Sequence, residues 1–571
     1  MMKTYLSLFL LPLMWACTSE PKGDRIFYNG AIYTANPQHP KVEAVVTQKG
    51  KILFAGEEQQ ARKFVGASTQ AFNLEGKTMT PGLIDAHAHL MGIGTQQVQL
   101  NLLRDQSWES IIEKVRLQAE QLPEGSWIQG RGWHQDKWDS LPVLIHGFPI
   151  HDELTKAAPN HPVWLKHASG HAGIANQKAM EMAGIYANIK EQKGQLQVNG
   201  GEVMLNRRGE PTGLMNENAC NLIESKIPTN DASANDRTLQ RAIQHCLENG
   251  ITGLHDAGAG EKTLETYFRA LKNQKLPLRL YVMLDGSDAA LLEEWAKRGI
   301  YEDSSHHLKI RSIKLYTDGA LGSSGAWLLA PYEDQKCCHH GHAVTPADTL
   351  GQRINWALNH GFQVCAHAIG DQANRAMLDH FQKAFQLRDL KPQNYRFRIE
   401  HAQHIHPKDL NRFAEMGVIP SIQTIHFASD RPWAIDKLGK ERIEKGSYAW
   451  QTLWKSGAII INGTDAPVEP LNPIENFYAA VSRKTLKGTP EGGYEAWEKL
   501  SRQQALEAST ANAAFAAFQE TISGEIAKGK LADFTIYNQN LMEVPEQEIL
   551  NTKIMYTIIG DSIYYQNTVT Q

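Results

Sequence analysis

Residues 81–90 read PGLIDAHAHL, and this stretch decides the fold. Its first half closes an apolar run over residues 79–84, which leads straight into Asp85-Ala86-His87-Ala88-His89. An apolar, β-prone run that ends abruptly in polar residues reads as a buried strand with chemistry at its carboxyl end. Residues two apart on a strand point to the same side, so His87 and His89 present two imidazoles together. Neutral imidazoles ligate divalent metals well, and a pair on one face can grip one cation.

Seven further apolar runs follow, at residues 251–255, 278–284, 312–316, 362–367, 397–401, 418–423 and 458–462. Amphipathic helical stretches such as residues 238–248, 350–359 and 407–416 precede most of them. Eight β-runs alternating with helices predict an α/β fold, a (β/α)8 barrel over residues 81–519. One gap breaks the rhythm: residues 91–235 form an insertion after the first strand. Such barrels place chemistry at the carboxyl ends of their strands. The runs here end in or near His255-Asp256, Lys314 with Asp318, His367 with Asp371, Glu400-His401, Gln423 with His426, and Asp465. Metal-competent residues from distant parts of the sequence therefore collect at one rim. The insertion starts where the histidine pair ends and carries Trp127, Trp133, Trp138, Trp164, His134, His167 and His171. It is placed to cover the barrel mouth, with most of its aromatics expected in its own core.

The two ends of the chain are short, strand-like segments with turns. Residues 25–80 and 520–571 predict one small β-sandwich-like domain assembled from both termini. Apolar residues are 42% and charged residues 21%, and the net charge is −4. Without a basic excess, nucleic acid is not an expected partner. At the N-terminus, Lys3 precedes an apolar segment over residues 6–15, too short to span a bilayer. Residues 13–17, LMWAC, resemble a bacterial lipobox. The expectation is a signal peptide over residues 1–17, lipidation at Cys17, and an exported protein anchored to a membrane and facing the periplasm or cell exterior. The five later cysteines suggest neither a disulfide framework nor a zinc ribbon. Cys246 and Cys365 read as packed thiols, and Cys337-Cys338 as part of a loop.

Four motifs carry a family resemblance: PGLIDAHAHL, HAIGD at residues 367–371, IEHAQ at 399–403 and GTDAPVEPLNP at 463–473. They resemble the amidohydrolase superfamily. DGALGSSGA at 318–326, HPVWLKHASGHAGIAN at 161–176 and GEPTGL at 209–214 are similar to the branch containing N-substituted formamide deformylase. Relatives tend to carry an acidic residue before the Gly-His of that second motif, where this chain has Ser169. The resemblance implies metal ligation by His87, His89, His367, His401 and Asp465, with Asp465 also the general base. It implies that Lys314 is N6-carboxylated and bridges two cations. One or two divalent ions are expected, with zinc favoured by the histidine-rich set. Such an ion lowers the pKa of its water from ~15.7 to about 7, and Asp465 would take the proton and pass it to the leaving group. Asp85, Glu400 and Asp318 are candidates for positioning the ligands, and His426, Gln423 and His171 for contacting substrate; Glu217 is a further candidate to face the pocket.

The implied reaction is hydrolysis of a carbon–nitrogen bond in a small-molecule amide, of the N-formyl or N-acyl kind. A deaminase or cyclic-amide hydrolase is the alternative on the same scaffold. A non-catalytic, lipidated ligand-binding protein is a third reading, against which the complete ligand set argues. A homodimer is left open.

Overall fold

The computed structural model describes residues 21–568 apart from residues 146, 169, 171, 192–195, 199–200, 229–230 and 336–337. Cys17, Ser169, His171 and Cys337 lie outside the described residues. The centre is a ring of eight parallel strands: β1 (Leu83–Ala88), β2 (Ile251–Ala259), β3 (Arg279–Asp285), β4 (Leu308–Tyr316), β5 (Gln363–Ala368), β6 (Arg398–His401), β7 (Ile419–Ile422) and β8 (Ile461–Asn462). Each pairs in parallel with the next. The ring closes beyond the end of β8, where the Asp465 N–H donates to the His87 carbonyl at 2.7 Å and the His89 N–H to that of Ala466 at 2.8 Å.

The helices form for local reasons and then pack through one face. Helix Ala232–Glu248 starts at Asp231, whose side chain accepts the Ala234 N–H at 2.7 Å. Its Leu239, Ala242, Ile243 and Cys246 follow helical spacing and are buried. Helix Ala347–His360 stops at Gly361, which takes the left-handed conformation at φ 75°. These inner faces join Leu254, Val282, Ile310, Val364 and Ile399 of the strands in one continuous core.

The first apolar run differs from expectation, because it serves two sheets. Thr78–Pro81 belongs to the terminal β-domain, antiparallel to Phe534–Tyr537 and parallel to part of Arg25–Tyr33. The chain then crosses at Gly82, and only from Leu83 is it in the barrel. Gly82 is required at the crossing, since a Cβ there would collide with the Thr252 side chain. The terminal domain is one eight-stranded sheet that joins residues 25–81 to 534–566. Arg279 of the barrel pins it through Asp533, with Nη2 donating to Oδ1 at 2.9 Å.

The insertion has its own seven-stranded sheet and two apolar clusters. Trp133 and Trp138 lie in the first, Trp164 lies in the second, and Trp127 packs against the second. Cys246 and Cys365 are buried free thiols, and Cys338 is exposed. No helix among the described residues is long and apolar enough to cross a membrane.

The barrel seam gives a first prediction. A Cβ at Gly463 would strike the His87 backbone nitrogen and lie 2.8 Å from Asp85 Oδ1. Gly463→Ala should therefore cost about 1–3 kcal/mol and loosen β1 against β8, read as a lower melting temperature. Gly260→Ala, where nothing stands within 4 Å of the new atom, should melt with the wild type.

Candidate metal centre

Six predicted residues meet at the carboxyl rim. His87 lies in β1, and His89 follows the strand's last residue, Ala88. Lys314 lies in β4, His367 in β5, and His401 ends β6. Asp465 sits just past β8. Asp465 Oδ1 is 3.1 Å from His89 Nε2 and 3.5 Å from His87 Nε2. Lys314 Nζ is 3.2 Å from His87 Nε2. The His367 and His401 ring centres are 4.4 Å apart. One ligand atom each from His87, His401 and Asp465 lies within 4.8 Å of the others, close enough to serve one ion. His401 and Asp465 hold left-handed backbone, φ 75° and 57°. For residues that are not glycine this is strain, carried where side chains must converge.

The protons of three histidines are fixed by what their outer nitrogens touch. His87 Nδ1 bonds the Glu400 carboxylate, and His89 Nδ1 bonds the Ala257 carbonyl at 2.9 Å. His401 Nδ1 bonds Gln423 Oε1 at 2.7 Å, while the Gln423 amide donates to the Ser421 carbonyl at 3.1 Å. Each of these oxygens accepts only, so each Nδ1 carries the proton and each Nε2 is left with a lone pair. His87 Nε2 meets Lys314 Nζ, and His89 Nε2 meets Asp465 Oδ1. Two acceptors in contact repel unless a proton or a metal ion lies between them, and a divalent ion in place of the proton fits this donor set. His367 Nε2 is buried without a hydrogen-bond partner, as a further ligand would be.

Electrostatics agree with that assignment. Burial, then the charge of Lys314, depress His87 to about 4 and His367 to about 3. Burial also lowers Lys314, although the Glu400 and Asp465 carboxylates partly offset this. Burial would raise Asp465, but contact with His89 and the nearby His87 and His401 rings hold it well below the usual carboxylate range.

The remaining candidates divide. Glu400 holds the His87 ring through Nδ1. Gln423, expected at the substrate, instead orients His401. Asp85 grips backbone rather than a histidine ring. It accepts from the Thr464 N–H at 3.0 Å, the Thr464 hydroxyl at 2.6 Å and the His87 N–H at 3.2 Å, tying the Asp465 loop to β1. Asp318 does not pair with Lys314. It accepts the N–H groups of Trp327, Ile369 and Gly370 at 2.8–3.0 Å and lies 3.5 Å from His367. Burial raises Asp85 to about 6 and Asp318 to about 7. His426 Nε2 has no hydrogen-bond partner and sits 3.8 Å from Asp465 Oδ2.

Sequence reading missed Arg398. Fully buried, it holds both oxygens of the Glu400 carboxylate and shares Oε2 with His87. Its Nε is 2.7 Å from Oε1 and its Nη2 donates to Oε2 at 3.0 Å. Further bonds reach the Ala86 carbonyl, Ser421 and His255. The available signal was the alternation Arg398–Glu400 in β6, two inward positions of one strand.

The sequence pattern of the amidohydrolase family matches residues 70–565. The chain belongs to the amidohydrolase family. YtcJ, an amidohydrolase-family protein of Bacillus subtilis, is 32% identical over 550 residues, covering 95% of this chain and 99% of its own. The N-substituted formamide deformylase of Arthrobacter pascens is 24% identical over 557 residues, covering 95% and 99%. Among solved structures, an uncharacterized metal-dependent hydrolase from Pyrococcus furiosus superposes with TM-score 0.70 at 26% identity, covering 91% of this chain and all of that one.

Two predictions follow from this amidohydrolase centre. Glu400→Gln should weaken metal retention about 10–100-fold, measured as metal content after dialysis against graded chelator. The second concerns acid. His87 and His367 are neutral when folded but regain a pKa near 6.5 when unfolded. The unfolded chain therefore binds more protons between about pH 6.5 and 4, and stability present above that window is lost as pH falls through it. The melting temperature of the metal-free protein should drop on acidification across this range, and loaded protein should release its ion there.

Proposed function

We propose that this amidohydrolase-family protein is a metal-dependent hydrolase of carbon–nitrogen bonds in linear amides, of the N-formyl or N-acyl kind. The observation that carries the reading is the gathering of His87, His89 and His401 around the Asp465 carboxylate, each ring with its Nδ1 held by an acceptor and its Nε2 left to ligate. The deformylase relative, aligned over almost the whole of both chains, supports the bond type.

His87, His89, His367, His401 and Asp465 would hold the ion, and zinc suits a nitrogen-rich set of this kind. A bound divalent ion acidifies a water and polarises a carbonyl. Asp465, kept ionised, accepts the proton of the attacking water and returns it to the departing nitrogen. The carbon–nitrogen bond breaks, and one water is consumed to give a carboxylate and an amine. His426, with a buried and unpartnered Nε2, is placed to donate to the substrate carbonyl oxygen. Lys314 is proposed to be carboxylated and to complete a two-metal site. An unmodified ammonium among cations is unfavourable, and its depressed pKa favours the neutral amine that combines with CO2. The lipobox-like residues 13–17 support an exported protein anchored to a membrane through Cys17.

The decisive experiment pairs metal analysis with turnover. Purified protein should carry one or two divalent ions per chain, and its mass should include one added CO2 at Lys314. Asp465→Asn should lower N-acyl hydrolysis about 10²–10⁴-fold while the protein still carries metal. Near-normal turnover in that variant would remove Asp465 from its role as base.

A further inference from the structure

Among the described residues, the insertion carries a partly buried cation, Arg131, with no acidic partner. Of its partly buried basic side chains, Lys114 pairs with Asp105 at 2.7 Å and Lys166 with Glu224 at 2.9 Å. Even the exposed Arg104 and Lys137 reach Glu475 and Glu469. Arg131, on insertion strand Ile128–Trp133, has no ion pair or side-chain hydrogen bond among the described residues, and its Nε is buried without a partner. Burial disfavours its charge, and the opposing influence is the carboxylate of Asp465. The geometry around Arg131 leads to the same loop: its carbonyl accepts the Leu102 N–H at 2.8 Å, and nearby Arg104 and Lys137 reach Glu475 and Glu469, just beyond Asp465 in the chain. Its Nη2 lies against Gly170, where an added Cβ would sit 3.5 Å away, an ordinary contact distance.

A largely desolvated guanidinium with no carboxylate is costly, and evolved interiors pair such charges. Arginine's planar fork matches a carboxylate through two parallel hydrogen bonds. The side of the site that the insertion meets indicates where on the substrate that carboxylate would lie. Asp465 would hand its proton to the leaving nitrogen, so a group bound on the Asp465 side of the site would sit on the leaving-amine side of the scissile bond. We propose that Arg131 binds a substrate carboxylate close to the scissile nitrogen, so that the preferred substrates are N-formyl- or N-acyl-amino acids rather than neutral N-acyl amines. The inference rests on the carbon–nitrogen hydrolase reading and narrows its substrate class.

The test compares metal-loaded wild type, Arg131→Gln and Arg131→Lys. The substrates are matched pairs: N-formyl- and N-acetyl-amino acids against the same compounds with hydrogen in place of the carboxylate. Wild type should favour the carboxylate member, and Arg131→Gln should reduce that kcat/KM preference about 100-fold, a typical loss for one partner of a desolvated charge pair. Arg131→Lys, which keeps the charge without the fork, should fall between them. The Arg131→Gln melting temperature should not fall, because no internal partner is lost; a large drop would mark a structural role and overturn the proposal. A preference near one in wild type, or one unchanged in Arg131→Gln, would also overturn it. If wild type hydrolyses neither member, calorimetric titration with the same pairs separates the two ideas. Carboxylate-dependent binding that Arg131→Gln abolishes upholds Arg131 and rejects the hydrolase reading, whereas equal binding of both members rejects Arg131.

Discussion

The metal centre depends on a carboxylate that has no access to water. Glu400 is fully buried, and a lone anion there would cost several kcal/mol. Arg398 makes it tolerable by contacting both oxygens, and the His87 Nδ1–H uses one of the two. The ion pair is thus the reason the His87 ring is held with its proton pointing inward and its lone pair toward the rim. Ala86 joins the same network, since Arg398 also bonds its carbonyl. The strand that bears His87 is therefore fixed by main chain and side chain together. Removing Glu400 would free a ring, but removing Arg398 would strand a charge, and the second is the more damaging loss for folding.

The same logic extends around the rim with neutral partners. Ala257 holds His89 and Gln423 holds His401, each through an oxygen that can only accept. Asp85 holds no ring. It accepts three bonds from the seam between the first and last strands, so it sets the position of Asp465 through the backbone. The site is built by fixing lone pairs first and strand ends second, with the left-handed conformations of His401 and Asp465 as part of the cost.

Much of this was legible in the sequence because it rests on periodicity and on residue type at strand ends. Eight apolar runs gave eight strands, and the polar residues closing them arrive at one rim. What was not legible depends on three-dimensional neighbours. An apolar run does not say which sheet it joins, so residues 79–84 read as one strand although the chain changes sheets at Gly82. Gln423 read as a substrate contact because its place after a strand says nothing about its partner, which is His401. Arg398 was missed because a buried arginine is recognised by the anion beside it, and that anion is formed by packing.

Barrel and insertion then answer different questions. Every group that ligates or orients the proposed ion comes from the barrel strands or their first following residues, so the reaction class is a property of the barrel. The insertion brings its own sheet and cores, which lets its inward face change without disturbing the ring. Its tryptophans are spent on those cores, as Trp133, Trp138 and Trp164 show. The specificity of such a site would then fall to polar residues of the insertion. Arg131, the cation proposed to meet the substrate, would lower the energy of an anionic substrate and raise that of a cationic one, because the second would add repulsion to a charge already short of solvent. Selection against the wrong substrate then comes from the same residue as selection for the right one.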